Sequence, residues 1–263
     1  MGAIRHVFLD LEGTLIKDKA YQPIQGAVGW FNRQREGGLG TLVVSNNTTH
    51  APREIEHRLR EVGFGIGEGE VLTCVGVGVE MLRAWGVKAC LVVGEDSLAQ
   101  ILAAQGFTVD GEGRVDAVVV GLDRRLTYAR LSQAVEALLR FKIPLLALHY
   151  NRLYLDVDGA RGPSVGAIVR SLEYACGVEA EVAGKPSEAY YENALRRASA
   201  RAGEVLFVSD DPLSDLVGAK RVGMRTAFVL SGKYPSEDVL GSIESGMRPD
   251  LVVSSVVDIE VNP

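Results

Sequence analysis

Three short apolar runs in this chain end in side chains that can do chemistry. Ile4 to Leu9 ends in Asp10 and Glu12, Thr41 to Val44 in Ser45 and Asn46, and Val205 to Val208 in Ser209, Asp210, Asp211 and Asp215. Lys185 stands between the second and third groups, in the turn Gly184-Lys185-Pro186-Ser187 that opens a helical stretch. Carboxylates crowded together resist full ionisation unless a cation sits among them. Donors that are all oxygen suit Mg²⁺, which keeps waters and takes one or two carboxylates plus a substrate phosphate. A lysine and a hydroxyl at the same place suit phosphate oxygens. A carboxylate aimed at phosphorus can also act as a nucleophile and form an aspartyl-phosphate.

Such a set works only if the elements bring it together. Short apolar runs closed by a turn read as buried parallel strands. The first is followed by a helix-like stretch from about Ile24 to Arg35, with Val28 and Phe31 on one face and Gly37-Gly38 as the stop. Thr49 and Pro52 open the next helix; Ile55, Leu59 and Val62 line its inner face and Gly63 follows as C-cap. Strand–helix alternation argues for a parallel α/β sheet, whose ligands bind beyond the carboxyl ends of the strands. The polar groups are therefore expected at one rim. From Val71 to about Val182 the alternation repeats, with strands near 91–94, 117–120 and 143–148, helices near 95–105, 127–140 and 164–175, and a turn at Asp156-Val157-Asp158-Gly159. A helix to about Ala200, the strand at 205–208, a helix from Asp215 to Arg221 and a last strand from Thr226 to Leu230 complete the pattern.

Composition narrows the classes. Of 263 residues, 47% are hydrophobic and 24% charged, which allows a packed interior and argues against disorder. The net charge of −6 and the lack of a basic stripe exclude a nucleic-acid footprint. No apolar stretch reaches the roughly 20 residues of a membrane span, and MGAIRHVFLD runs into a strand without a signal-peptide core. A cytoplasmic setting with no membrane partner is expected. Cys74, Cys90 and Cys176 are too scattered for zinc or a disulfide framework and read as reduced packing residues. Gly76-Val77-Gly78 lacks the third glycine of a dinucleotide fingerprint.

The motifs together resemble the haloacid dehalogenase superfamily. Asp10-Leu11-Glu12-Gly13-Thr14-Leu15 is similar to its first motif, D-x-D-G-T-L; Val43-Val44-Ser45-Asn46-Asn47 to its second; Gly184-Lys185-Pro186 to its third; and Ser209-Asp210-Asp211-Pro212-Leu213-Ser214-Asp215 to its fourth. The insert between motifs two and three resembles the large α/β cap of the NagD and p-nitrophenyl phosphatase subfamily. Gly162-Pro163-Ser164-Val165-Gly166-Ala167 matches the stretch where that cap returns to the core. Ala147-Leu148-His149 and Asp210-Asp211 lean toward the phospholysine phosphohistidine inorganic pyrophosphate phosphatase branch. The resemblance implies a Rossmann-like core at 1–75 and 183–263 and an α/β cap at 76–182 that closes over the leaving group. It implies Mg²⁺ as cofactor, a small phosphomonoester as substrate, and a homodimer through the cap. Asp10 would be nucleophile and metal ligand. Glu12 would be general acid/base and lend its carbonyl to the metal, with Asp210 the second carboxylate. Asp215 would hold a water on the metal or orient Lys185. Leu11, Ser45, the Asn46 amide and Lys185 would hold the phosphoryl group.

Two positions depart from that pattern. Glu12 replaces the usual Asp and is one methylene longer, and Ser209 replaces the usual Gly, where a side chain crowds the loop or forces another turn. They motivate an alternative, a degenerate member that binds a phosphorylated ligand with little or no turnover. A metal-free dehalogenase is a second alternative, against which the carboxylates at 210, 211 and 215 speak. A phosphotransfer mutase is a third, but such members carry a small helical cap elsewhere. Asp211 reads as a loop carboxylate or a restraint on the metal loop; His149 reads as either a substrate contact or a semi-buried, satisfied histidine, and Tyr150 and Asn151 beside it are open in the same way.

Overall fold

The computed structural model describes residues 3–17, 20–111, 113–155 and 161–261. In chain order its strands are β1 (His6–Leu9), β2 (Gly40–Ser45), β3 (Val71–Thr73), β4 (Ala89–Val93), β5 (Thr108–Val109), β6 (Ala117–Val120), β7 (Leu145–Ala147), β8 (Leu153–Leu155), β9 (Arg161–Pro163), β10 (Glu181–Val182), β11 (Val205–Ser209), β12 (Arg225–Val229) and β13 (Leu251–Val253). The α-helices are α1 (Ala27–Glu36), α2 (Pro52–Glu61), α3 (Cys74–Ala84), α4 (Asp96–Ala104), α5 (Tyr128–Phe141), α6 (Val165–Cys176), α7 (Glu188–Arg197) and α8 (Val217–Arg221). The chain divides into two compact units. Unit 1 comprises 1–45, 52–72 and 188–263, and unit 2 comprises 46–51 and 73–187. The expected α/β architecture is present: a parallel-sheet core with an inserted α/β unit.

Unit 1 is built on a sheet of order β13-β12-β11-β1-β2-β3. β1 runs parallel to both β2 and β11, with Leu9 opposite Val43 and Val208. The chain leaves β1 toward β2 and β3, and later fills the other side with β11, β12 and β13. The strand order therefore reverses between β1 and β11, the switch point where α/β sheets bind ligands. Every residue of β11 is buried, as expected of a strand covered on both faces. Trp30, Phe31 and Phe64 fill the core beside it, Phe31 and Phe64 edge to face at 5.5 Å. Each such side chain contributes about 1.5–3 kcal/mol by leaving water. α1 starts three residues later than its apolar pattern predicts, because Gly26 takes a left-handed φ of 79° that no helix interior accepts.

Unit 2 has a parallel sheet of order β10-β7-β6-β4-β5 and a separate antiparallel pair, β8 with β9. α5 and α6 close its core over Val118, Val120, Leu138, Val169 and Leu172. α3 is a helix that the sequence pattern did not single out, since its first turns, Cys74-Val75-Gly76-Val77-Gly78, combine weak helix formers. The Thr73 side chain caps it by accepting the Gly76 N–H at 3.1 Å. Gly78 lies so close to Leu148 that a Cβ would stand 2.8 Å from a Leu148 methyl. The glycine fragment is thus a packing device. Gly162 to Ala167 lies inside unit 2, at the turn from β9 into α6, and not where the chain leaves it. The turn expected at 156–159 falls outside the described residues.

Candidate active site

Asp10 follows β1, and its N–H donates to the Val208 carbonyl at 2.9 Å, so the chain leaves the sheet beside β11. The next residues form a tight turn: the Leu11 carbonyl accepts the N–H groups of Leu15 and Ile16, and Gly13 takes a φ of 78°. Leu11 is wholly buried. Glu12 is half-buried. Its charge adds to burial in pushing the Tyr21 phenol well above its ordinary pKa.

Asp210 follows β11, next to Asp10 across the switch point. Asp210 is 6% exposed and its Oδ2 packs against two glycines: a Cβ on Gly13 would stand 2.1 Å from Oδ2, and one on Gly232 2.0 Å. Oδ2 accepts the Lys233 N–H at 2.6 Å. Burial first and the Asp10 charge second push this carboxyl well above the ordinary aspartate range, against the pull of that N–H. Two carboxylates that destabilise each other's charge in a buried place call for a cation.

The loop after Asp210 is a single turn of π-helix, Pro212–Leu216, so α8 begins later than the pattern predicts. Asp211 caps this turn, its Oδ1 accepting the N–H groups of Leu213 and Ser214, while its Oδ2 receives the Lys233 ammonium at 2.7 Å. Asp211 is therefore a restraint on the loop. Ser209 does not crowd it. Its hydroxyl accepts the Asp211 N–H at 3.1 Å and donates to Asp215 Oδ2 at 2.8 Å. Ser214 donates to the other oxygen of Asp215 at 2.9 Å. α7 supports the loop from below: Tyr191 Oη donates to the Asp215 carbonyl at 2.8 Å, and Tyr190 Oη to the carbonyls of Ser45 and Leu72 at 3.0 and 3.1 Å. Unit 1 thus brings together Asp10, Leu11, Glu12, Ser45, Asp210 and Asp215 at the carboxyl ends of its strands.

Asn46 and Lys185 belong to unit 2. The Asn46 side chain clamps the Lys185 backbone, accepting its N–H at 2.9 Å and donating to its carbonyl at 3.1 Å. The remaining N–H of that carboxamide donates to Asn151 Oδ1 at 3.2 Å. The side chain is fully committed, so only the backbone N–H of Asn46 remains for a phosphate. Lys185 is 1% exposed. Gly184 packs so closely that a Cβ would stand 2.5 Å from the Leu148 carbonyl oxygen. His149 is buried and its Nδ1 accepts the Asn151 N–H at 3.3 Å, in keeping with a satisfied histidine. Sequence reasoning gave Asn47 no role of its own, left Asn151 open and missed Lys233. Asn47 caps the following turn through the N–H groups of Thr49 and His50, Asn151 completes the clamp, and Lys233 holds both Asp210 and Asp211.

The donor set fits Mg²⁺. Asp10, Asp210 and Asp215 offer carboxylate oxygens and Glu12 a backbone carbonyl, all hard donors. Among the described residues no three His, Cys, Asp or Glu side chains form a cage of their own. Mg²⁺ does not need one, since water and substrate phosphate complete its shell. Burial pushes the Cys90 thiol up to about 11 and raises that of Cys176, so neither is a reactive thiolate. A groove in unit 2 bordered by Tyr150, Arg170 and Glu179 holds none of the candidate residues, and Tyr150, Arg170 and the Ala180 N–H converge on Glu173. We place no chemistry there.

Comparison with known proteins shows the family. The profile described as haloacid dehalogenase-like hydrolase matches residues 7–108, and a related HAD-hydrolase-like profile matches 182–259. Haloacid dehalogenase-like hydrolase domain-containing protein 2 of Mus musculus is 34% identical over 90% of this chain and 88% of its own. The chain belongs to the haloacid dehalogenase-like hydrolase family. The phospholysine phosphohistidine inorganic pyrophosphate phosphatase of Xenopus laevis is 30% identical over 89% of this chain and 86% of that protein. Among solved structures of the family, a p-nitrophenyl phosphatase from Archaeoglobus fulgidus superposes with a TM-score of 0.86 at 29% identity, covering 98% of both chains. NagD of E. coli K-12 has a TM-score of 0.83 at 24% identity, covering 99% of this chain and 100% of its own, which shows the shared fold. A glycerol phosphate phosphatase from Mycobacterium tuberculosis, in complex with calcium, has a TM-score of 0.79 at 29% identity over 96% of this chain and 74% of its own. The NagD and p-nitrophenyl phosphatase resemblance read from the motifs is thereby confirmed. Among the described residues no helix is long and apolar enough to cross a membrane.

Proposed function

We propose that this chain is a family phosphatase that hydrolyses small phosphomonoesters through Asp10, with Mg²⁺ as its cation. The observation that carries the reading is the pairing of Asp10 with a buried Asp210 at the switch point of a parallel sheet. The names of the relatives support the substrate class, and the calcium complex of one relative supports a divalent ion. Mg²⁺ held by Asp10, Asp210, Asp215 and the Glu12 carbonyl would offset charge on the phosphoryl oxygens. In the first step a carboxylate oxygen of Asp10 attacks phosphorus, the P–O bond to the leaving alcohol breaks, and Glu12 gives that oxygen a proton. In the second step the Glu12 carboxylate takes a proton from water, whose oxygen attacks the aspartyl-phosphate. The Asp10 carboxylate and inorganic phosphate are released. Ser45 and the backbone N–H groups of Leu11 and Asn46 are assigned to the phosphoryl oxygens, and Lys185 to their charge. Asp215, its two oxygens steadied by Ser209 and Ser214, is assigned to the metal through a water or to orienting Lys185.

The test is turnover of p-nitrophenyl phosphate with and without Mg²⁺. Asp10→Asn should abolish Mg²⁺-dependent release by roughly three orders of magnitude or more while the far-UV circular dichroism stays unchanged. Retained activity in that variant removes the nucleophile assignment. A wild-type protein with no Mg²⁺-dependent release favours the phospho-ligand-binding alternative, and dehalogenation that survives a chelator favours the metal-free one.

A further inference from the structure

We infer that Ser231-Gly232-Lys233, the three residues that follow β12, form a clasp that positions Asp210 for its cation. This deepens the phosphatase reading and rests on it. β12 lies beside β11 and parallel to it, so its chain emerges at the same edge of the sheet as Asp210. The Ser231 hydroxyl donates to the Gly13 carbonyl at 2.7 Å, which ties the segment to the turn after Asp10. Two residues later the Lys233 N–H donates to Asp210 Oδ2, and the Lys233 ammonium reaches Asp211 Oδ2. The segment is thus fastened to both motif loops at once.

Two observations argue against an ordinary turn. A turn lysine is normally solvated, but the Lys233 side chain is only 22% exposed and its partner Asp211 8%. A turn glycine normally supplies a left-handed φ, but Gly232 is not among the residues with positive φ. Its backbone is open to any residue. What it lacks is room: a Cβ would stand 2.0 Å from Asp210 Oδ2 and 2.6 Å from the Gly13 Cα. The glycine is required for close approach to the carboxylate. Gly13 abuts the same oxygen, a Cβ there standing 2.1 Å from it. Among the described residues the Lys233 amide supplies the one hydrogen bond to this carboxylate, and it goes to Oδ2. That oxygen is committed to the clasp, and Oδ1 is the oxygen left to meet a cation. Ser231, Gly232 and Lys233 are positioning residues; none needs to touch the substrate.

The experiment is titration calorimetry of the full chain with Mg²⁺, beside p-nitrophenyl phosphate kinetics across a Mg²⁺ series. Gly232→Ala should weaken Mg²⁺ binding at least about tenfold, the scale of lost outer-shell support. Its activity should recover as Mg²⁺ is raised, with KM for the ester within about twofold of wild type at saturating metal. A general structural defect would not recover with metal. Gly241→Ala is the glycine control, since nothing lies within 4 Å of its Cβ position, and should bind Mg²⁺ as wild type does. Wild-type protein that gives no Mg²⁺ binding overturns the phosphatase reading and the clasp together. Wild-type binding with unchanged affinity in Gly232→Ala overturns the clasp alone. Should circular dichroism show that Gly232→Ala does not fold, Ser231→Ala carries the test. It should bind Mg²⁺ several-fold more weakly, and wild-type affinity there overturns the clasp.

Discussion

Ser209 stands where the family usually has glycine, and its hydroxyl is the hub of the loop that carries Asp210 and Asp215. It accepts the Asp211 N–H and donates to Asp215 Oδ2, all within a region where Ser209, Asp211 and Asp215 are each at most 5% exposed. Ser209→Ala strands a buried N–H and removes one donor from a buried carboxylate. The expected loss is about 1–3 kcal/mol, read as a lower urea midpoint at unchanged m. A midpoint equal to wild type would show that water replaces the hydroxyl. Asp10 and Asp210 were legible in the sequence because each ends an apolar run, and strand ends are where α/β sheets keep their chemistry. Asp211 was legible as a restraint. Lys233 was not, because its partner Asp211 lies 22 residues away and its own neighbours carry no motif; Asn151 stood out beside His149, but its partner Asn46, 105 residues away, did not show. Strand-end logic applied to the last predicted strand, Thr226 to Leu230, pointed to 231–233 all the same; the signal was present and unread.

At the scale of elements, α7 is what carries the two motif loops. Tyr190 and Tyr191 are adjacent, wholly buried, and reach Ser45 and Asp215 respectively. α8 must come close for this to work, and Gly218 allows it: a Cβ there would stand 2.6 Å from the Tyr191 ring and its hydroxyl oxygen. Two effects oppose each other in Gly218→Ala. Helix propensity favours alanine by about 1 kcal/mol, and overpacking costs about 1–3 kcal/mol. A rigid, buried ring that is also hydrogen-bonded has little freedom to yield, so the penalty should win and the thermal midpoint should fall. In a Tyr191→Leu background the same substitution should lose most of its penalty, a coupling that a double-mutant cycle reads. Additive effects would mean that the ring is not what α8 meets. β1, β2, β4, β6, β7, β11 and β12 were legible because apolar runs of about four to six residues stand out; β3, β5, β8, β9, β10 and β13, of two or three residues each, were not, and β13 lies beyond the strand expected to be the last. α3 was not, because glycine and valine hide a helix that tertiary packing stabilises, and the start of α1 shifted because the pattern does not reveal that Gly26 is left-handed.

At the scale of the whole molecule, each unit has its own apolar core: one around Trp30, Phe31 and Phe64, the other around Val118, Leu138 and Leu172. Each also has one carboxylate whose pKa is held low by hydrogen bonds. In unit 1, burial would raise Asp250, but the Lys220 ammonium and the Thr226 N–H and hydroxyl outweigh it and lower its pKa. In unit 2, the Ala89 and Lys88 N–H groups lower Asp116, with burial opposing them weakly. A carboxyl whose pKa is lower folded than unfolded binds fewer protons when folded. Its stabilisation is therefore present above the unfolded value of about 3.9 and is lost as pH falls through the folded value. Asp250→Asn and Asp116→Asn should each lower stability at pH 7 and flatten the decline between about pH 5 and the folded pKa. Since the two carboxylates serve different cores, their losses should be independent. Hydrogen exchange should show faster opening of β12 and β13 in Asp250→Asn, and of β4 and β6 in Asp116→Asn. Equal loosening of both sheets by either substitution would mean that the cores open as one cooperative unit, and that the division into two units is one of geometry and not of stability.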